Sequence, residues 1–148
     1  MKNKKIFIIL GITLPILTIL YFLYTDCWTT MKINWKVSMP YMSFYRETYH
    51  KDSGSSFFGD GTRYHVFSYK NEKYIKNMVN WEPEEKTTEI YSSYSEFIKI
   101  ELDRIEAPEK ERPEYSKCKY WYNKDLDDEI VICWNKEEHK LYVIELFI

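Results

Sequence analysis

A glycine-rich loop in the first half of the chain carries residue types that can bind a ligand. It runs from Asp52 to Thr62 and contains three of the chain's four glycines. Glycine permits positive φ angles and close approach of the backbone, so backbone N–H groups in such a loop can bind an anion. No phosphate-binding lysine follows, and the next residues favour a strand rather than a helix, which argues against a phosphate loop. The favoured interpretation is a plain hairpin turn, since Asp60-Gly61 is a common turn pair, and Gly59, Asp60 and Gly61 are the candidate ligand-binding residues if the loop has a site.

Two histidines flank this loop and raise the question of a metal site. His50 precedes the loop and His65 follows it, so the two rings approach each other if the flanking strands pair. With Asp52 and Asp60 they form a set of two imidazoles and two carboxylates, donors that suit zinc and related metals. The spacing matches no zinc signature. The chain has three histidines in all, a number expected by chance in a chain of this length, so their presence near the loop is weak evidence for a metal. This set is a candidate metal site, while for the chain as a whole we predict no cofactor.

Two short stretches resemble a group of small, uncharacterised membrane-anchored proteins of Gram-positive bacteria. That group shares a stretch like H-G-G-F-H-G-D-G shortly after its anchor and ends in a hairpin of the type N-x-L-Y-Y-Y-E. The matching residues here are Ser55-Ser56-Phe57-Phe58-Gly59-Asp60-Gly61 and, after Asn135 to His139, Leu141-Tyr142-Val143-Ile144-Glu145. The Gly-Asp-Gly part is kept, whereas the group's histidines are replaced by serine and phenylalanine. The resemblance implies no activity, and any chemistry that depends on those histidines is not expected here.

An apolar segment near the N-terminus predicts a membrane anchor. Residues 6–24 form a run of 19 residues without a charge, enough for a helix of about 29 Å, close to the thickness of a hydrocarbon core. Lys2, Lys4 and Lys5 precede this run, and by the positive-inside rule they keep the N-terminus in the cytoplasm. A cleaved signal peptide or a lipoprotein modified at Cys27 is the alternative, but the run is long for a signal peptide and no small residues precede Cys27. We therefore predict a single-pass cell-membrane protein with its C-terminal domain outside the cell.

The rest of the chain has the composition of a folded, acidic domain. Hydrophobic residues make up 45% of the chain and aromatic residues 18%, so a packed core is expected. Without the three N-terminal lysines, 18 basic and 23 acidic residues remain, a balance of −5. Nucleic acid requires a basic surface, so we predict no nucleic-acid partner.

Hydrophobic periodicity predicts an α+β fold, in which an N-terminal transmembrane helix is followed by a small antiparallel sheet with one or two helices packed on it. Residues 1–24 form the cytoplasmic stub and anchor, 25–31 a juxtamembrane linker, and 32–148 the extracytoplasmic domain. Ser93 and Glu96 have the spacing of a helix capping box, and Asn71 is a further candidate cap. The predicted strands are 32–39, 44–49, 62–69, 117–122, 129–134 and 140–148, and the predicted helices are 72–80 and 93–105.

The cysteines leave two alternatives open. Cys118 and Cys133 fall on neighbouring predicted strands and would meet oxidising conditions outside the cell, which makes them candidates for a disulfide. They are equally well interpreted as two buried thiols, because the geometry that a disulfide needs is not encoded in the spacing. Cys27 is then left over, and it could pair with another chain.

The remaining motifs favour a binding protein over an enzyme. No Ser-His-Asp order, nucleophile elbow or His-Glu-x-x-His motif occurs. The chain is therefore predicted to be a non-enzymatic, membrane-anchored protein that displays a binding domain to a membrane or cell-wall partner. The alternative is an anchored metal- or ligand-dependent module, or an enzyme, that uses the loop around Asp60. Aromatic residues could line a binding face for a glycan or peptide, but at strand spacing they are more often core residues or cross-strand pairs. The tryptophans concerned are Trp35, Trp81, Trp121 and Trp134.

Overall fold

The computed structural model describes residues 11–19, 27–40, 45–54, 60–82 and 87–148. The chain divides into two units, Met1–Met39 and Pro40–Ile148. The elements in chain order are α1 (residues 11–19), α2 (Cys27–Asn34), β1 (Tyr45–Asp52), β2 (Gly61–Tyr69), α3 (Thr87–Arg104), β3 (Cys118–Asp125), β4 (Asp128–Asn135) and β5 (Lys140–Phe147).

The first unit contains α1 and α2. Residues 6–10 and 20–24 of the predicted anchor lie outside the described residues, and among the described ones no helix has the length and apolar character needed to cross a membrane. The strand predicted over 32–39 is wrong, because α2 continues to Asn34 and leaves Ile33 exposed. Burial nevertheless alternates over residues 35–39, where the chain runs without strand structure and the Trp28 indole N–H donates to the carbonyl of Met39 over 3.1 Å.

The second unit is built on a five-stranded sheet in the order β1-β2-β5-β4-β3, with every neighbouring pair antiparallel. The prediction of an α+β fold with a small antiparallel sheet is confirmed. β5 lies at the centre, and its residues from Leu141 to Leu146 are all buried, which explains the nearly continuous apolar run in that part of the sequence. The β3–β4 connection is shorter than predicted, because both strands extend until Leu126 and Asp127 alone separate them.

One face of the sheet packs against α3. Ile98 and Leu102 of the helix are fully buried, and they belong to one apolar cluster with side chains from β2, β3, β4 and β5. Buried tyrosines account for much of this layer, and each keeps its hydroxyl hydrogen-bonded. The Tyr64 hydroxyl donates to the carbonyl of Glu111, and the Tyr120 hydroxyl donates to the carbonyl of Tyr115. At these positions tyrosine fills the core with its ring while its hydroxyl is satisfied.

The ends of α3 differ from the prediction. The helix starts at Thr87, so Ser93 lies inside it and the predicted Ser93–Glu96 capping box is wrong. At the other end, Glu106 has a φ of 54°, and the N–H of Ala107 donates to the carbonyl of Leu102 over 2.9 Å. This is a Schellman ending, which turns the chain out of the helix before Pro108.

The helix predicted over 72–80 is reduced to a single turn of 3₁₀ helix at Glu72–Tyr74. Asn71 does cap it, with its side-chain oxygen accepting from the N–H of Lys73. The turn does not continue as an α-helix, because the Ile75 carbonyl is taken by the N–H of Met78 and by the indole N–H of Trp81.

Candidate functional site

The β1–β2 hairpin brings the two predicted histidines together. In the strand register His50 lies directly opposite His65, and their rings stack with centroids 4.6 Å apart and planes 11° apart. The His65 ring is also nearly parallel to the Phe67 ring, with centroids 5.8 Å apart. His65 thus contacts two aromatic rings on the sheet face opposite α3.

An irregularity in β1 adds a carboxylate to this pair. Between Glu47 and Tyr49 the register shifts, so Thr48 is an extra residue, a β-bulge. In a regular strand residues 47 and 50 would point to opposite faces, because side chains alternate. The bulge turns both to the same face, and Glu47 Oε1 lies 2.6 Å from His65 Nδ1 while His50 stacks on the same ring. We call Glu47, His50 and His65 the histidine cluster.

The cluster is open to water on the β1 side and closed on the β2 side. The His65 side chain is 9% exposed, whereas those of Glu47 and His50 are 41% and 49% exposed. The 2.6 Å contact is a charge-assisted hydrogen bond in which His65 Nδ1–H donates to the carboxylate. A carboxylate on one ring nitrogen fixes the orientation of the imidazole and leaves the other nitrogen for proton exchange.

The proton affinity of His50 is set by its surroundings. Burial lowers the pKa of His50 below its ordinary value, and the electrostatic interaction with the neighbouring His65 ring lowers it further. Glu47 and Asp52 act in the opposite direction, and Asp52 Oδ2 lies 3.9 Å from His50 Nε2. The net effect is a lowered pKa, so His50 favours the neutral form in the folded state.

The predicted metal set of His50, Asp52, Asp60 and His65 is brought together in part. The two histidines meet, and Asp52 lies near His50, while Asp60 is an exposed residue at the start of β2. In the part of the chain that the structure describes, no three His, Cys, Asp or Glu side chains are arranged to hold a metal ion. The stacked rings explain this, because lone pairs in two nearly parallel ring planes do not converge on one point.

The base of the glycine-rich loop is tied by hydrogen bonds. Ser53 pairs with Thr62 through its backbone N–H, which donates to the Thr62 carbonyl over 2.9 Å, and its hydroxyl accepts from the Thr62 N–H over 3.0 Å. Gly54 has a φ of 85° and Gly61 a φ of 142°, a region that favours glycine. Gly59, the remaining member of the predicted ligand-binding trio, lies outside the described residues. The backbone conformation at position 61 therefore explains why glycine stands there, and ligand binding by this loop stays a prediction.

Replacing Gly61 by alanine is expected to lower the free energy of unfolding by about 2–3 kcal/mol. Its φ is unfavourable for alanine, and a Cβ there would collide with the Ser53 hydroxyl oxygen, which cannot move without losing the Thr62 N–H. Gly54→Ala is the matched control, because its φ is also positive but the space around it is open, and about 1 kcal/mol is expected. Chemical denaturation of the full chain in detergent micelles measures both, and equal losses would show that the collision is unimportant.

The cysteines are free thiols. Cys27, Cys118 and Cys133 are all buried and unbridged. In the register Cys118 lies opposite Asn135 and Cys133 opposite Tyr120, so the two share a face but are diagonal neighbours. Diagonal positions are about 7–8 Å apart, beyond the usual span of a disulfide. Burial also raises the pKa of Cys118 to about 12 and that of Cys133 well above its ordinary value, which disfavours the reactive thiolate.

The four predicted tryptophans differ in their exposure. Trp35 and Trp134 are 4% and 1% exposed and serve as core residues. Trp81 and Trp121 are half-buried. The core alternative is correct for the first two.

Sequence reasoning missed Glu47, the residue that orients His65. The signal that could have found it is weak, because bulges leave no fixed motif. In comparisons with known proteins, no family model, no curated protein and no solved structure matches the chain. The resemblance to membrane-anchored proteins with a Gly-Asp-Gly loop stays a prediction, and the function is argued from the chain's own residues.

Proposed function

We propose that residues 6–24 anchor the chain in the cell membrane as a single span, and that residues 32–148 are displayed outside the cell as a non-enzymatic binding or interaction domain. The partner of that domain is a membrane or cell-wall component. The observation that carries the anchor is the exposure of every residue in α1.

All nine residues of α1 are exposed, although the segment contains no charge. Its large side chains include Ile12, Leu14 and Leu17, which are 57%, 66% and 62% exposed. At about 100° per residue Ile12 points about 160° away from Leu14 and about 140° away from Leu17, so apolar side chains lie on opposite sides of the helix and no polar face is available for water. A helix that is apolar on all sides needs an apolar environment, and a lipid bilayer supplies one.

The polar groups of α1 also suit a bilayer. The Thr18 hydroxyl donates to the carbonyl of Leu14 over 2.9 Å, so its hydrogen-bonding need is met inside the helix. The helix continues through Pro15, as membrane helices do more readily than helices in water. The lysines at positions 2, 4 and 5 and the absence of acidic residues before the segment support a cytoplasmic N-terminus.

The double substitution Leu14→Arg/Leu17→Arg is expected to release most of the protein from membranes. Each arginine near the centre of a span costs about 2.5–3.5 kcal/mol for insertion, so two cost about 5–7 kcal/mol. The measurement is the fraction of the full chain that stays in the membrane pellet after alkaline carbonate extraction. Leu14→Ala/Leu17→Ala, which shortens the same side chains without adding charge, should stay in the pellet.

Two further measurements separate the alternatives. The intact mass of the mature protein distinguishes an uncleaved anchor from a cleaved signal peptide or from a lipidated Cys27. Two reporters fused to the C-terminus test on which side of the membrane it lies. With the C-terminal domain outside the cell, alkaline phosphatase should be active, and a fluorescent protein in its place should not fluoresce. Extraction of the unmodified chain by carbonate, or the reverse reporter pattern, would refute the anchor or its orientation.

A further inference from the structure

The histidine cluster joins an edge strand to the body of the sheet. β1 lies at the edge in the strand order, and five of its eight residues are exposed. β2 beside it is mostly buried. An edge strand with few buried side chains opens more easily than the strands inside the sheet. On this side of β1 the contacts of Glu47 and His50 with His65 join the strand to β2, beside the ring contacts of Tyr45 with Phe67 and Tyr69.

These contacts depend on the protonation of the rings. A neutral His50 ring stacks on His65 as one flat surface on another. If both rings are protonated, like charges lie on rings whose centroids are 4.6 Å apart, in a partly buried position. Like charges at that distance repel, and less water is present to screen them than at the free surface.

The charged groups around the cluster come from three strands. β1 contributes Glu47 and Asp52, and β2 contributes Arg63, which lies opposite Asp52 in the register. From β5, Val143 faces His65, and the buried Glu145 faces Arg63. Glu47 is the acid in direct contact with His65, whereas Asp52 lies 3.9 Å from His50 and is half exposed. Burial, His65 and Arg63 lower the pKa of His50, the two acids on β1 raise it, and the net direction is downward.

We propose that the histidine cluster is a proton-sensitive contact between β1 and β2. It holds the edge strand β1 on β2 at neutral pH, and protonation of His50 weakens it so that β1 opens more easily. The bulge at Thr48 is what builds it, because without the extra residue Glu47 and His50 would face opposite sides of the sheet.

The sign of the effect follows from linkage. The pKa of His50 is lower in the folded state than its ordinary value of 6.5, so the unfolded or opened strand binds more protons. The stabilising contribution of the neutral ring is therefore fully present above pH 6.5, and it is lost as the pH falls through the lower, folded-state pKa.

Hydrogen exchange of the full chain in detergent micelles tests this. After correction for intrinsic rates, protection of the β1 amides should fall at least about threefold relative to the β4 amides between pH 7.5 and pH 5.0. β4 serves as an internal reference, because acid that destabilises the whole unit acts on both strands. Equal changes in β1 and β4 would overturn the proposal.

Two variants make the test specific to His50. His50→Phe keeps a flat ring for stacking but cannot take up a proton, so the selective loss in β1 should disappear. His139→Asn removes a histidine from the β4–β5 turn, where the φ of 54° suits asparagine, and the selective loss should remain. A selective loss that persists in His50→Phe would overturn the proposal. An NMR titration of the His50 ring gives a second measurement, since its midpoint should coincide with the loosening of β1, and a clear mismatch would overturn the proposal as well.

Discussion

Replacing Ile98 by alanine is expected to lower the free energy of unfolding by about 2–5 kcal/mol. Ile98 is fully buried on the inner side of α3, in the cluster that includes Tyr64 and Tyr142 of the sheet. The substitution removes most of a buried side chain and leaves a cavity that rigid tyrosine rings fill poorly. Urea denaturation of the full chain in detergent micelles, followed by tryptophan fluorescence, measures the loss.

The same helix offers a control with the same chemistry. Ile100 is two residues further along and 53% exposed. Ile100→Ala should change the free energy of unfolding by no more than about 0.5 kcal/mol, since surface substitutions of this kind are nearly neutral. If the two variants lost similar amounts, α3 would not pack on the sheet by the face described here.

The packing face of α3 was predictable from the sequence because a helix period is local. Leu102 and Ile105 follow Ile98 at the spacing of one helical face, and the structure buries all three. The start of the helix was not predictable in the same way. Ser93 and Glu96 have the right types and spacing for a cap, but a cap also requires non-helical backbone before it, and α3 already includes the six residues that precede Ser93.

The positions of the five strands of the sheet were predictable, although the strand expected over 32–39 did not form. The order of the strands was only partly predictable. β3, β4 and β5 follow one another through short polar turns, and such neighbours pair because little chain separates them. The pairing of β2 with β5 joins residues about 80 positions apart, as in His65 with Val143. No turn encodes that contact. It follows from the burial of β5, because the backbone N–H and C=O groups along both edges of a buried strand need hydrogen-bond partners, and a strand on each side supplies them.

The candidate site shows where period-based reasoning stops. His50 and His65 were expected to meet if their strands paired, and they do. Glu47 was missed because side chains three positions apart in a regular strand point to opposite faces of the sheet, so Glu47 and His50 were not expected on one face. A single extra residue at Thr48 reverses that rule locally. Bulges depend on the fit between two strands and not on the type of one residue, so the sequence of β1 alone does not reveal the bulge.

The second large effect is expected at a buried carboxylate where α3 meets the base of the hairpin. Glu101 is 2% exposed and Thr62 is fully buried, and the Thr62 hydroxyl donates to Glu101 Oε2 over 2.5 Å. Arg104, on the exposed side of the helix, lies 3.2 Å from the same oxygen. Thr62→Val keeps the shape of the side chain but removes the hydroxyl. A hydrogen bond to a buried charged group is worth about 1.5–3 kcal/mol, and a loss of that size is expected in chemical denaturation.

The companion variant Glu101→Leu separates the hydrogen bond from the cost of burying the charge. As a single substitution, Glu101→Leu leaves the Thr62 hydroxyl buried without its acceptor, so this variant should also be less stable. In the Thr62→Val background both partners are apolar, and Arg104 can turn to solvent because its side chain is already 54% exposed. The double variant should therefore lose at least about 1 kcal/mol less than the sum of the two single losses. Additive losses would mean that Thr62 and Glu101 act independently, and that this end of α3 is held to β2 by apolar packing alone.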